Sequence, residues 1–457
     1  MSLNLKKSLK RIKNLFNSKK NEKPSKKKVI RKKTKESKEK ISKKPGKKIV
    51  KPKKVKLIEN KKSDDKKKIN KTRSKNKKNN EKKKIVKVKK SKINKVEKIK
   101  PKRKKTISRK RKADKINFFE KTSHNPIIEP NKNNSWESWQ TFNPASLYID
   151  NKAHFLYRAI GDGGISTLGY AKSDDPIKIN ERFTNPAFVL SDYFFNKLKK
   201  DKKSKFFSYS SGGSTAGCED PRLTLIDDKI YLIFTTFSNW LYLRMTISSI
   251  SKDDFINRRW HKWKKPVFIS APGEVHKNWV IFPDKINGQY AILTSISPNI
   301  SISYHNSLNF SGKNFIKSNY QVRNIKGTWE EYRRGAGPPP IKTKAGWLLF
   351  YHAVEKNDTN KYKLGAMILD LNNPEKILYT AKHPILEPDM SYENNGFKPG
   401  IVYSCGTILI GDKLYIYYGG ADTVVCVAST SLDKLTNSIV GGKKLTLKKK
   451  KLLKTKK

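Results

Sequence analysis

One local pattern recurs five times between Asn143 and Leu432, and it constrains the fold more than any single residue does. Each copy has a polar or Pro/Gly-rich opening motif, an apolar-alternating strand, a tight turn, a second strand, a loop and a third strand. The opening motifs are Asn143-Pro144-Ala145, Glu219-Asp220-Pro221-Arg222, Lys277-Asn278-Trp279, Gly335-Ala336-Gly337-Pro338-Pro339-Pro340 and Ser404-Cys405-Gly406. Internal similarity with several short strands per copy is typical of a propeller. We therefore predict an all-β, five-bladed β-propeller.

Composition divides the chain into two unlike parts. The chain has 103 Lys and Arg against 39 Asp and Glu, a formal net charge of +64. Residues 1–115 contain 54 of the basic and 9 of the acidic side chains, a net charge of +45, and have no aromatic residue after Phe16. Such a segment buries too little apolar surface to offset its ordering entropy. We predict a disordered lysine-rich region at 1–115, a propeller at 116–442 and a basic tail at 443–457.

Any function of the lysine-rich region is expected to be electrostatic. A polycation of this density condenses on nucleic acid or an anionic membrane surface with little sequence choice. The alternative is a solubilising tail without a dedicated partner. Within this region, Met1–Phe16 places its apolar side chains on one helical face and lysines on the other, which predicts a short amphipathic helix.

Targeting and metal signals are weak. The start of the chain lacks the uninterrupted apolar core of a signal peptide, and no run is long enough to span a bilayer, so we expect a cytoplasmic protein. The three cysteines are an odd number in a long chain, which argues against a disulfide framework. Neither they nor the histidines have zinc-ligand spacing, so we expect no metal site and no cofactor.

The repeat has a geometric consequence for function. If the first strand of each copy runs down from its opening motif and the second returns after the tight turn, the opening motifs and the ends of the second strands share one face. Radial packing would then gather these polar segments around a central funnel, which suits a hydroxyl-rich ligand. The charged and polar side chains expected there are Arg158, Asp162, Asp220, Arg222, Lys277, Asn278, Arg333, His352 and Asp422.

Several motifs occur together in one order along the folded domain. They are Asn143-Pro144-Ala145, Tyr157-Arg158-Ala159, Gly217-Cys218-Glu219-Asp220-Pro221-Arg222, Phe282-Pro283-Asp284, Gly335-Ala336-Gly337-Pro338-Pro339-Pro340, Pro384-Ile385-Leu386-Glu387-Pro388 and Gly420-Ala421-Asp422-Thr423. With these motifs, the stretch from Asn143 to Leu435 resembles glycoside hydrolase family 130, the mannoside phosphorylases and related β-mannosidases. The resemblance implies a five-bladed propeller that acts on β-mannosides.

The resemblance also implies roles for individual residues. Asp220 matches the general acid of the family, thought to act through the mannosyl 3-hydroxyl. Glu219 and Asp422 are then placed to raise the pKa of Asp220 or to bind sugar hydroxyls. The residues expected to bind the β-mannoside oligosaccharide are Asn143, Arg158, Asp162, Glu219, Arg222 and Asp422. Those expected to bind inorganic phosphate, the nucleophile and co-substrate of an inverting displacement, are Lys277, Asn278, Arg333 and His352.

One position departs from the family pattern. Ser295 stands where the phosphorylases usually have an arginine, so one phosphate contact is missing. An inverting hydrolase would instead need a carboxylate base, for which Glu330, Glu331 or Asp422 is available. A third reading is a non-catalytic glycan-binding propeller tethered by its polybasic region. The four remaining residues expected to bind phosphate favour phosphorolysis with release of mannose 1-phosphate. The resemblance also implies a homo-oligomer, since family members often form one.

Overall fold

The computed structural model describes residues 118–191, 212–238, 243–321, 325 and 327–441. The predictions for the lysine-rich region at 1–115, its amphipathic helix at 1–16 and the basic tail at 443–457 lie outside the described residues.

Short antiparallel strands dominate the described residues and follow the sequence repeat. The first set is β2 (Gln140–Ile149), β3 (Lys152–Ile160), β4 (Ile165–Ser173) and β5 (Glu181–Arg182). The second is β6 (Ala216–Ile226), β7 (Lys229–Ser238), β8 (Arg244–Ser251) and β9 (Val267–Phe268), and the third is β10 (Val280–Ile281), β11 (Tyr290–Ser295) and β12 (Ser301–His305). The fourth is β13 (Tyr332–Ala336), β14 (Ile341–Thr343), β15 (Gly346–Glu355), β16 (Asp358–Leu369) and β17 (Ile377–Thr380). The fifth is β18 (Val402–Ile410), β19 (Lys413–Gly420) and β20 (Val424–Ser431), joined by β1 (Glu120–Lys121).

Helices are few and short in the described part of the chain. They are Lys252–Ile256, the 3-10 turn Trp260–Lys262, Ser391–Asn394 and Leu432–Val440. The two that directly follow a third strand begin with a serine whose Oγ accepts a hydrogen bond from the backbone, Ser251 and Ser431. None of the helices described could cross a membrane. The all-β prediction is confirmed.

The apolar core consists of clusters that lie between successive strand sets. Phe234 of the second set packs in one cluster with Leu156 of the first, and Met245 of the second packs with Trp279 at the start of the third. Further clusters join the third set to the fourth and the fourth to the fifth. Phe155 of the first set then meets Tyr417 of the fifth at a ring-centroid distance of 4.7 Å. The first and last sets are therefore packed against each other.

Strand β1 joins the two ends of the described chain. It pairs antiparallel with β20, with Glu120 opposite Ser429 and Lys121 opposite Ala428. This strand comes before the first repeat in sequence but completes the last sheet. The pairing covers an otherwise open sheet edge, which stabilises the set against strand exchange.

A buried hydrogen-bonded triad recurs in three of the strand sets. In each, a tyrosine on the middle strand donates its hydroxyl proton to a buried glutamate that precedes the first strand, and a cation binds the same carboxylate. The triads are Tyr157 with Glu137 and Arg182, Tyr351 with Glu330 and Arg333, and Tyr418 with Glu393 and Lys121. Each triad fixes the approach of the chain to its first strand.

Small residues on the third strand make room for these tyrosines. Gly169 lies opposite Tyr157 and Gly365 lies opposite Tyr351. A Cβ atom on either glycine would lie within 2.4 Å of the tyrosine ring. The glycines are therefore required by packing rather than by backbone conformation.

Candidate active site

The opening motifs interrupt their strands in the same way. The pairing register shifts between Phe142 and Ala145 in β2 and between Glu219 and Arg222 in β6, with similar shifts in β13 and β18. Asn143 and Asp220 sit at these shifts with φ of 48° and 50°. Asn and Asp tolerate this left-handed conformation, and the prolines that follow them donate no backbone hydrogen bond. Such bulges re-aim side chains beside functional sites.

These re-aimed side chains surround a cavity of about 320 Å³. Four cations and two carboxylates line it: Arg158, Lys277, Arg334, Lys398, Asp220 and Asp422. Polar and aromatic residues complete the wall, among them Asn143, Asn278, Thr294, Tyr320, Tyr362 and Tyr403. The charged lining has an excess of positive charge, which favours an anionic ligand.

Asp220 lies in this wall and is 3% exposed. Its Oδ1 accepts hydrogen bonds from Asn143 Nδ2 at 2.8 Å and from Arg158 Nη1 at 3.2 Å. Burial alone would raise the pKa of this carboxyl, but Arg158, Lys277 and Arg222 lower it below its usual value. The expectation that neighbouring carboxylates raise the pKa of Asp220 is wrong, because the three cations lower it.

Glu219 binds two of the cations that line the cavity and does not itself line it. It is fully buried and accepts hydrogen bonds from Arg158 Nη2 at 2.9 Å and from Lys277 Nζ at 3.1 Å. It does not line the cavity. Its carboxylate therefore fixes two lining cations in place, and direct binding of sugar by Glu219 is not what the geometry favours.

Arg222 also lies behind the wall. Its guanidinium donates to the backbone oxygens of Asp220 at 2.8 Å and Gly337 at 3.2 Å, and to Asn278 Oδ1 at 2.9 Å. Arg222 is 1% exposed and does not line the cavity. The structure thus makes it a positioning residue for Asp220 and Asn278 in place of the predicted sugar contact.

Asp422 is the second carboxylate in the wall. It follows β19, has a φ of 50° and is 9% exposed. Burial raises its pKa to about 6, against the opposing effects of Lys398 and Arg158. Asp422 therefore holds its proton to a higher pH than Asp220 does.

The predicted phosphate ligand Arg333 does not reach the cavity, whereas its neighbour Arg334 does. Arg333 donates from Nε and Nη2 to the two oxygens of Glu330, each at 2.9 Å, and so belongs to a buried triad. Successive side chains on a strand point to opposite faces, which turns Arg334 inward. Arg334 Nε is buried and has no hydrogen-bond partner among the described residues.

His352 lies beneath the wall and not in it. It is fully buried, its Nε2 accepts a hydrogen bond from the backbone N–H of Ser404 at 3.0 Å, and burial lowers its pKa to about 3. Its ring stacks on that of Tyr403 at a centroid distance of 3.8 Å. His352 is therefore neutral and supports Tyr403, whose hydroxyl donates to Asn278 Oδ1 at 2.5 Å. A cationic contact from His352 to phosphate does not fit this placement.

Two other predicted positions lie apart from the lining. Asp162 is exposed in the turn after β3 and accepts a hydrogen bond from Ser138 Oγ at 2.6 Å. Ser295 bonds within its own turn, with Ser297 O at 2.7 Å and Ser297 N at 3.1 Å, while its neighbour Thr294 lines the cavity. Asp162 therefore does not take the substrate-binding place predicted for it in the cavity wall, and Ser295 does not supply the phosphate contact expected from an arginine at its position.

Three residues that line the cavity were not expected from the sequence patterns: Arg334, Lys398 and Tyr403. Lys398 comes from the segment between the helix Ser391–Asn394 and β18, where no motif pointed to the funnel. Tyr403 stands immediately before the opening motif of the fifth repeat, which was a usable signal. The described residues contain no group of three or more His, Cys, Asp or Glu side chains placed to hold a metal ion.

Comparisons with known proteins show which family the chain belongs to. Residues 109–440 match the family profile of glycoside hydrolase family 130, described as beta-1,4-mannooligosaccharide phosphorylase. The chain is 36% identical to the 1,2-beta-oligomannan phosphorylase of Thermoanaerobacter sp. (strain X514), over 68% of this chain and 96% of the relative. It is 34% identical to the beta-1,2-mannobiose phosphorylase of the same organism, over 68% and 97% respectively.

Solved structures agree on the fold. The beta-1,2-mannobiose phosphorylase from Listeria innocua, solved with beta-1,2-mannobiose, superposes with a TM-score of 0.55 at 23% identity, covering 70% of this chain and 99% of that one. The family match spans well over half of the chain, and the similarity to whole relatives exceeds 30% identity. The chain therefore belongs to glycoside hydrolase family 130.

Proposed function

We propose that this protein is an inverting β-mannoside phosphorylase, which transfers a terminal mannosyl unit to inorganic phosphate and releases mannose 1-phosphate. One observation carries the proposal: the cavity has four lining cations against two carboxylates, and the Nε of one of these cations, Arg334, lacks a partner among the described residues. A tetrahedral anion would satisfy Arg334 and neutralise the excess charge.

In this reaction a phosphate oxygen attacks the anomeric carbon, and the bond from that carbon to the departing oxygen breaks. The departing oxygen needs a proton, which Asp220 supplies through the mannosyl 3-hydroxyl. Asn143 and Arg158 hold the carboxyl by one oxygen, which leaves the other for this transfer. The negative charge of bound phosphate offsets the cations that lower the pKa of Asp220, so phosphate binding favours the protonated acid.

Hydrolysis fits the site less well. A hydrolase needs a carboxylate base that activates water. Glu330 is held by Arg333 and Tyr351, and Glu331 accepts a hydrogen bond from the backbone N–H of Lys356 at 2.7 Å. Asp422 alone of the three candidate bases lines the cavity. Anionic phosphate needs no base, which favours phosphorolysis.

We also propose that the strand sets close into a five-bladed propeller. The apolar clusters join each set to the next and the fifth to the first, and β1 completes the last sheet. Both features are those expected of radial closure. A small-angle scattering profile of residues 116–442 that requires an elongated particle would contradict this arrangement.

We propose β-1,2-linked mannosides as the preferred substrates, because the two relatives matched over two thirds of the chain are named for this linkage. The test is incubation with β-1,2- and β-1,4-mannobiose, each with and without phosphate. Mannose 1-phosphate formed only when phosphate is present supports phosphorolysis. Faster release from β-1,2- than from β-1,4-mannobiose supports the linkage preference. Free mannose formed equally with and without phosphate would establish a hydrolase instead, and ligand binding without turnover would establish a glycan-binding protein.

The remaining predictions concern partners. We propose that residues 1–115 bind polyanions such as nucleic acid or an anionic membrane surface, since their net charge is +45. Cytoplasmic location and a homo-oligomeric state stay predictions, and size-exclusion chromatography with light scattering tests the latter.

A further inference from the structure

Three strongly exposed apolar side chains belong to segments that line or adjoin the cavity. Among the described residues, the large apolar side chains with the greatest exposed fractions are Phe397 at 56%, Trp139 at 52% and Val275 at 51%. Val275 lines the cavity directly. Single exposed apolar residues are ordinary on a soluble protein, but several around one cavity indicate a binding surface.

Hydrogen bonds place Trp139 and Phe397 on two sides of the turn that carries Asp422. The backbone N–H of Phe397 donates to Thr423 Oγ1 at 2.8 Å, and the backbone N–H of Thr141 donates to Thr423 O at 2.9 Å. Gln140, next to Trp139, donates from Nε2 to the backbone oxygen of Asp422 at 2.6 Å. Trp139 and Phe397 therefore belong to segments that are hydrogen-bonded to the turn carrying Asp422, a residue of the cavity wall.

The size of the cavity limits what it holds. Its volume of about 320 Å³ is at the small end of the roughly 300–1,000 Å³ typical of ligand sites. Phosphate and the sugars on either side of the cleaved bond fill such a volume, so further sugar units must extend past the mouth. Each pyranose presents an apolar face of C–H groups, and a flat aromatic ring matches that face.

We propose that Trp139 and Phe397 form an aromatic platform that holds the mannosyl units beyond the cleaved disaccharide, so that the enzyme prefers oligosaccharides to mannobiose. This inference rests on the proposed phosphorylase function and adds chain-length selection to it. The two relatives matched over most of their length are named for an oligomannan and for a disaccharide, at similar identity. Their names therefore leave the chain-length preference of this protein open.

The test uses the full-length protein and compares mannobiose with mannotetraose of the linkage that the enzyme cleaves. Trp139→Ala and Phe397→Ala are expected to lower the tetraose-to-biose ratio of kcat/KM about tenfold each, the loss of roughly one aromatic stacking contact. The change should appear in KM for the tetraose. Tyr379→Ala is the matched control, because Tyr379 is also an exposed aromatic, at 40%, but lies on the outer strand β17. An unchanged ratio in both Trp139→Ala and Phe397→Ala would overturn the platform.

A second measurement separates this inference from the proposed function. Calorimetric titration of an Asp220→Asn variant with mannotetraose measures binding without turnover. If the wild type makes no mannose 1-phosphate, the phosphorylase proposal fails, whereas the platform is still supported when adding Trp139→Ala weakens tetraose binding about tenfold. Equal affinity with and without Trp139→Ala would overturn the platform whatever the wild type catalyses.

Discussion

The neighbouring arginines of β13 provide the sharpest test of the site. Arg334 lines the cavity and its Nε lacks a partner among the described residues, whereas Arg333 is paired with Glu330 in a triad with Tyr351. Replacing each by Gln removes the same charge one position apart. We expect Arg334→Gln to impair phosphate binding and Arg333→Gln to impair stability.

The magnitudes follow from the surroundings of each guanidinium. A hydrogen bond to a charged group contributes about 1.5–3 kcal/mol, so Arg334→Gln should raise KM for phosphate roughly 10- to 150-fold. The side chains of Arg333 and Glu330 are 13% and 9% exposed. Removing one partner of such a pair leaves a largely buried carboxylate, at a cost of about 2 kcal/mol. A loss of this size lowers Tm by a few degrees.

The assay is mannose 1-phosphate release at varied phosphate concentration, together with thermal unfolding of each variant. Arg334→Lys is the control that keeps the charge but loses the planar fork, and it should fall between the wild type and Arg334→Gln in KM. The reasoning is refuted if Arg333→Gln raises KM for phosphate as much as Arg334→Gln does while its Tm stays at the wild-type value.

Four further outcomes are expected. Asp220→Asn should lower phosphorolysis roughly 10²- to 10⁴-fold while oligosaccharide binding persists; retained turnover would contradict its role as acid. The pKa of Asp422 is raised to about 6 from its usual 3.8, so the folded state binds the extra proton and stability falls as pH rises from about 4 to 6. Asp422→Asn should remove that dependence and add on the order of 3 kcal/mol at pH 7, and a Tm difference from wild type that is constant with pH would argue against it. Gly365→Ala places a Cβ 2.4 Å from the Tyr351 ring and should cost about 1–3 kcal/mol, seen as a lower Tm. Deleting residues 1–115 removes +45 of the net charge of +64, so it should lower the salt concentration that elutes the protein from a heparin column and leave kcat/KM unchanged. Elution of both forms at the same salt concentration would place the polyanion site elsewhere.

Much of the fold could be predicted from sequence because its signals are local. Alternating apolar residues and turn residues indicated the strands, and the first opening motif, Asn143-Pro144-Ala145, lies within β2 (Gln140–Ile149). The opening motifs indicated where the site lies, since Asn143 and Asp220 occupy a backbone conformation that Asn and Asp tolerate. The closing strand β1 was not predicted, because two residues carry too little pattern to be recognised.

The sequence by itself determined the repeat, the polar character of the central site and the identity of Asp220, Lys277 and Asn278 as residues of its wall. Only the tertiary structure decided that Arg334 faces the cavity while Arg333 turns to Glu330, that His352 is neutral beneath Tyr403, and that Glu219 holds Arg158 and Lys277. The physical reason is the distance along the chain over which each property is determined. Strand pattern and turn chemistry depend on neighbours within a few residues, whereas side-chain direction at a bulge and the charge of a buried group depend on partners far away in the chain.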